Sequence, residues 1–273
     1  MYYKYFGIER IGFFDDLKVR FSQLSALNDP FEVSAIIDSS DLLEDLLRDS
    51  KKKSTADWNR LPLSYRTEQR EEEFRKKIKD EEKFIIETAA GHTIGRNIKS
   101  AIDHSAGVFC VTTEADNLLM WSHYSSNHRG FVIGMNPDHD FFHKKGPGFT
   151  FPIRKVSYSI LRGVCRRTDG RDKSLGSLLY EKSLPWAYEN EYRLVRGFRD
   201  IIPTPDFLKE PAIYMDLVKL PTDLIKKIYV GAHASPDLTT MAVSSVKKHG
   251  LTAEVIQLHI EKESYGLREE RLV

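Results

Sequence analysis

GVFCVTTEADNLLMWSHYSSNHRGFVIGM, residues 107–135, changes its hydrophobic period twice, and that change decides the fold class. GVFCVTT (107–113) has the β-branched and aromatic content of a strand. EADNLLMWSHYSS (114–126) puts Leu118, Trp121 and Ser125 on one helical face, with Met120 and Tyr124 beside them. RGFVIGM (129–135) returns to strand composition. Thr113 or Asp116 is the expected helix start, because a short polar side chain there accepts bonds from the first free N–H groups. Strand, helix and strand in so short a span call for helices packed on a sheet, with Trp121 anchoring this helix.

Working outward, YYKYF (2–6) and KVRFS (18–22) read as strands, and IERIGFFDDL (8–17) between them has Ile11, Phe14 and Leu17 near helical spacing. SALNDPFE (25–32) is a rigid corner, since Asn28 and Asp29 can bond their own backbone and Pro30 fixes φ. Downstream strands are expected at 149–159, 191–198, 212–218 and 226–232, and a last one at AEVIQLHI (253–260). Helices are expected near 172–183 and 236–249. From Ser40 to about Ser105 the chain is helical and charged, with Glu71/Arg75, Glu72/Lys76 and Glu73/Lys77 in the favourable i,i+4 order. The expectation is a single α+β domain over 1–273: a mixed or antiparallel central sheet, flanking helices, and a charged helical insertion at about 40–105.

Composition narrows the partners. Forty-one Lys and Arg against forty Asp and Glu leave a net charge of +1, so no global field draws nucleic acid or an anionic membrane, and any basic patch is local. Cys110 and Cys165 lack the spacing of a disulfide framework or a Cys-rich zinc site, which points to reduced thiols and a cytoplasmic protein. No stretch approaches eighteen uncharged apolar residues, so no membrane is expected; the oligomeric state stays open.

Two constellations carry chemistry. His123 and His128 lie five residues apart, roughly 140° around a helix, whereas a shared metal needs a spacing of three or four. No metal is expected there. His123 is read either as a general base or as a hydrogen-bonded structural residue, and its direction decides. In WAYENEYRL (186–194) Glu189, Glu191 and Arg193 alternate. On a strand they share one face with the carboxylates about 7 Å apart. Arg193 offsets their repulsion, and Trp186, Tyr188 and Tyr192 suit a cationic or planar ligand. The plain alternative is a solvated strand face. The basic stretch RGVCRRTDGRDK (162–173) reads as a surface loop that can meet phosphate.

With those residues in view, YKY, FSQLSALNDPFE, FCVTTEADNLLMWSHYSSNHRGFVIGM, WAYENEYRLV and LIKKIYVGAHA resemble, in order, a widespread bacterial family described as a domain of unknown function. More distantly, the chain is similar to the ADP-ribosyltransferase superfamily, whose catalytic Glu opens a late strand, often as Glu-x-Glu. That resemblance implies NAD as substrate, Glu191 as catalytic carboxylate, and Glu189 upstream to position or deprotonate an acceptor. Lys4 stands where the superfamily has Arg or His and can bind a phosphate. Ser22 and Tyr124 are rival middle positions, and Tyr3 or Tyr5 can stack on nicotinamide. Asn28, Asp29 and Arg193 complete the candidate binding set. The implied role is a toxin or phage-defence effector that modifies a protein or nucleic acid. Two alternatives stand beside it: a metal-assisted hydrolase or nuclease joining Asp29, Glu32, His123 and Glu191, and a non-catalytic ligand-sensing or interaction module.

Overall fold

The computed structural model describes all residues except 33, 34, 39, 90–99, 145–149, 167–168, 199–201 and 204–213. The chain is α+β, with a mixed, mostly antiparallel sheet and helices. It forms two compact units. One holds Met1–Glu32, Asp103–Ile160 and Lys182–Val273, and the other Val33–Ile102 and Leu161–Glu181.

The strands in chain order are β1 (Tyr2–Phe6), β2 (Lys18–Ser22), β3 (Ile36–Asp38), β4 (Ala106–Thr112), β5 (Phe131–Met135), β6 (Thr150–Lys155), β7 (Ser157–Ser159) and β8 (Val164–Arg166). They continue with β9 (Glu181–Ser183), β10 (Glu191–Gly197), β11 (Ile202–Pro203), β12 (Tyr214–Lys219), β13 (Ile225–Val230), β14 (Glu254–Ile260) and β15 (Leu267–Arg271). The first unit is built on the sheet β11-β12-β2-β4-β1-β5-β13-β14-β15, and β10 joins β4 to β6. Among the described residues of this sheet only β13 and β14 run parallel. β14 is not the last strand, as the sequence suggested, because β15 pairs with it from Ile256↔Arg271 to Ile260↔Leu267. Residues 212 and 213 of the expected 212–218 strand, and 149 of the 149–159 strand, lie outside the described residues.

β4 positions the site. Along one edge it pairs with β10 over its whole length, from Glu191↔Thr112 to Gly197↔Ala106. Its other edge is shared: β1 meets it at Tyr3↔Thr112 and β2 at Ser22↔Val108. The sheet therefore forks at β4, with β1 and β2 as its tines. Below the fork Phe6, Phe13, Phe14 and Phe131 pack with ring centroids 4.5–5.8 Å apart at the centre of the larger core. On the opposite face Tyr5, Met120, Trp121, Val132 and Tyr229 form a second cluster.

Trp121 is fully buried, its Nε1 donates to the Ala115 carbonyl (2.8 Å), and its ring meets Tyr5 edge-on at 5.4 Å, the expected anchor. The helix runs Leu118–Tyr124 and is capped by Asn117, whose Oδ1 accepts from Leu119 N and Met120 N, not by Thr113 or Asp116. Asn117 directly precedes the first helical residue, the position from which a short polar side chain meets the free N–H groups of that turn. After Tyr124 the chain leaves the helix, and Ser126, Asn127 and His128 all take positive φ (49°, 55° and 64°). A side chain at Gly130 would run into the Phe6 carbonyl, so glycine there permits a close backbone approach.

In the second unit the helices Ser40–Arg60 and Glu68–Ala89 bring Trp58 and Phe74 into a stack at 4.7 Å. Of the three expected i,i+4 pairs Glu71–Arg75 forms (2.7 Å), whereas Lys77 turns to Glu81 (3.8 Å). The basic stretch 162–173 is not simply a loop. Val164–Arg166 pairs in parallel with Ile36–Asp38, Arg166 Nε binds Asp38 (3.1 Å), and Asp169 accepts from Arg166 N and from Lys173. Arg166, Asp169 and Lys173 thus have their charges answered locally. Among the described residues no helix is long and apolar enough to cross a membrane.

Candidate functional site

The fork opens into a cavity of about 410 Å³, within the usual range for small-molecule sites. Its walls come from β1, β2, β4, β9 and β10, from the Leu118–Tyr124 helix and from the turns between them. β1 supplies Tyr3, Lys4 and Tyr5, β2 supplies Ser22, and β10 supplies its first residue, Glu191. Asn28, His123, Tyr124 and Glu189 complete the set, so nine of the residues singled out from sequence line one cavity.

Glu189 and Glu191 reach it differently from the expected alternating strand. Glu189 ends the 3₁₀ turn Leu184–Glu189, Asn190 takes φ 42° and turns the chain, and only then does β10 begin. Asparagine tolerates that left-handed conformation, which breaks the alternation. Both carboxylates are nonetheless buried (3% and 5% exposed), and cations hold them together. Lys182 Nζ lies 2.6 Å from Glu189 Oε2 and 3.5 Å from Glu191 Oε2. Arg193 grips Glu191 through Nε (2.8 Å) and Nη2 (3.1 Å), and Glu32 through Nη1 (2.9 Å) and Nη2 (2.6 Å). Tyr124 Oη donates to Glu189 Oε1. The solvated-strand alternative is ruled out by this burial.

Burial alone would push the Glu191 carboxyl up, but Arg193, Lys182 and a bond from Cys110 bring it down to about 2. Glu32 goes the other way: burial raises it, and Arg193 offsets this only in part. Lys182 is raised despite its burial because Glu191 and Glu189 attract its proton. Lys4 is lowered by burial, against the pull of Cys110 and Glu191. Its ammonium lies 5.4 Å from the Phe109 ring and has no hydrogen bond or ion pair among the described residues. Arg10 and Arg20 line the same cavity, so one part of the wall is cationic and another carries carboxylates.

Several expectations need correction. Arg193 is fully buried and its guanidinium is committed to two carboxylates, so it supports the cavity wall and does not face a ligand. Asp29 is also buried, caps Phe31 N with Oδ1 (2.9 Å), and lies outside the cavity lining. Tyr192 points to the large core, where it meets Tyr2 at 5.1 Å, and is no part of an aromatic wall beside the carboxylates. Tyr5 is held by a bond to the Glu114 carbonyl (2.9 Å) and by Trp121, which leaves its ring a fixed wall. His123 is exposed and faces the cavity, near Tyr124 and Tyr188 (6.4 Å each). His128 instead stacks on Trp121 at 6.0 Å and neighbours His233, and burial lowers its pKa. Of the residues posited for a metal site, Glu32 and Glu191 share Arg193, and Asp29 lies outside the cavity lining that holds His123 and Glu191. Among the described residues no group of three or more His, Cys, Asp or Glu is placed to hold a metal ion.

Sequence reasoning missed Lys182, which lies seven residues before Glu189 in an unremarkable EKS segment, and Tyr158, whose Oη accepts the Glu191 N–H (2.8 Å) and is pushed up to about 12 by burial. No local periodicity marks either residue.

Comparison with curated proteins and with solved structures gave no match. The ADP-ribosyltransferase resemblance therefore gains no support from known proteins. Residues 120–194 match a family described as protein of unknown function (DUF2971), and that span carries the site from His123 and Tyr124 through Lys182 to Glu189, Glu191 and Arg193.

Proposed function

We propose that the cavity binds NAD and that the protein transfers its ADP-ribosyl group to a macromolecular acceptor, as a cytoplasmic toxin or phage-defence effector would. The observation that carries this reading is Glu191. It opens β10 on the wall of a cavity bordered by β1 and β2, and it is kept anionic by Arg193 and Lys182. A fixed carboxylate in a shielded site stabilises positive charge as it develops on a ribosyl carbon. As the bond from that carbon to nicotinamide breaks, the bonding pair neutralises the pyridinium, and Glu191 faces the resulting oxocarbenium character. Lys4, an unpaired cation among the described residues, and Arg20 suit the diphosphate. Glu189, held by Tyr124 and Lys182, is the carboxylate on the acceptor side.

The test is release of nicotinamide from NAD, and transfer of label from labelled NAD to cell lysate, by the intact chain and by Glu191→Gln. The substitution is expected to cut the rate about 10²–10³-fold with circular dichroism unchanged. An inactive intact chain, or full activity in Glu191→Gln, sinks the reading.

One observation favours a second reading, ligand sensing without turnover. Each carboxylate oxygen of Glu189 and Glu191 already accepts a bond within the protein. In that case NAD raises the melting temperature and no nicotinamide appears.

A further inference from the structure

Glycosyl transfer at Glu191 leaves one feature of the site unused. A row of rings runs from Tyr124 to His123 (6.4 Å), to Tyr188 (6.4 Å) and on to Trp186 (6.2 Å). Its first two members line the cavity and its last two do not, so the row leads out past Glu189. His123 is exposed and Tyr188 and Trp186 are half-buried, so each ring keeps part of its surface in contact with solvent.

Lys182 indicates what that ligand is. Its side chain is 7% exposed and its ammonium lies 4.7 Å from the Trp186 centroid, on the inner face. A cation there already uses the π density of the Trp186 ring, so a second cation gains less from it. An arginine or lysine of a protein acceptor is therefore disfavoured, and an uncharged planar ring is favoured. Nucleobases offer such a ring, and rows of aromatic side chains bind them whatever their sequence. With a net charge of +1 the chain has no broad basic field, so stacking supplies the affinity.

We propose that Trp186, Tyr188 and His123 stack bases of a single-stranded nucleic acid and present it as the acceptor. The acceptor role rests on the glycosyl-transfer reading; the stacking does not. In the transfer a nitrogen or oxygen of the nucleic acid bonds to the ribosyl carbon, neutral nicotinamide leaves with the former bonding pair, and the acceptor's proton passes to Glu189.

The experiment measures fluorescence anisotropy of labelled single-stranded RNA and DNA of about 10 nucleotides, and of an arginine-rich peptide of equal length, with the intact chain, Trp186→Ala and Trp186→Phe. Nicotinamide release is followed on the same preparations. The oligonucleotides are expected to bind, about tenfold or more weakly to Trp186→Ala and near normally to Trp186→Phe. Between about 50 and 200 mM salt the affinity is expected to fall less than the 10³-fold of phosphate-led binding. Absence of oligonucleotide binding, equal binding by Trp186→Ala, or peptide binding that depends on Trp186 overturns the proposal. Oligonucleotide binding through Trp186 without nicotinamide release leaves the base platform standing and removes the glycosyl-transfer reading. Nicotinamide release without oligonucleotide binding does the reverse.

Discussion

Two stretches of this chain pair carboxylates with cations and use the pairs oppositely. In the helix Glu68–Ala89 the segment REEEFRKKIKDEEK spreads its charges in water, and Arg75 and Glu71 pair at 2.7 Å with side chains 72% and 49% exposed. Around YENEYR, Glu189, Glu191 and Arg193 pair with Glu32 and Lys182 at similar distances, and every side chain of that group is at most 7% exposed. The residue types and distances match, so solvent makes the difference. In water a pair contributes little and breaking it costs little. Removed from water, each charge carries a desolvation penalty that its partners must offset, and taking one partner away strands the others.

The largest expected effect follows from this directly. Arg193→Met leaves Glu32 and Glu191 without their shared guanidinium and is expected to lower stability by about 3–5 kcal/mol, read from urea unfolding midpoints. A change below about 1 kcal/mol would mean that the buried group behaves like the solvated helix.

Acid gives the next test. The Glu191 carboxyl titrates near 2 in the folded protein against an ordinary value of 4.5. Because the folded value is depressed, the stabilisation is present above about pH 4.5 and is lost as pH falls toward 2, up to roughly 3 kcal/mol. The stability difference between the intact chain and Glu191→Gln is therefore expected to shrink across that window. A difference that holds constant down to pH 2 would show that this carboxylate is not favoured in its charged form.

Lys182→Met is expected to cost less than Arg193→Met, about 1.5–3 kcal/mol, because Glu189 keeps Tyr124 and Glu191 keeps Arg193. Equal losses from the two substitutions would make Lys182 the true centre of the group. At the other end of the scale, a double-mutant cycle on Glu71 and Arg75 is expected to give about 0.3–0.5 kcal/mol, weakening further in salt. A coupling above about 1 kcal/mol would end the contrast between the two stretches.

How much of this was legible follows physical lines. The strand, helix and strand of 107–135 were readable because the strands are runs of β-branched and aromatic residues and the helix between them has one apolar face, from which Trp121 anchors as its period predicts. The i,i+4 pair of Glu71 and Arg75 was readable because it is local. The bond from Arg193 to Glu32 spans 161 residues and leaves no trace in any window. Asn190 offered a clue that strand alternation overrode: in YENEYR an asparagine can turn the chain, and it does. Nine of the cavity residues are legible in the sequence, because each is polar or aromatic in a segment otherwise committed to the core. Asp29 shows the opposite error, since a carboxylate that caps its own turn looks the same in sequence as one offered to a ligand.

The fork of the sheet has a consequence for how such a site can change. β1 and β2 each keep a partner on their outer edges, β5 and β12, while they part company along β4. The opening between them belongs to the backbone pairing, so exchanging the side chains that line it would not close it. Sequence drift in this chain would alter what the cavity accepts well before it abolished the cavity, which makes the fork a durable socket with a replaceable lining.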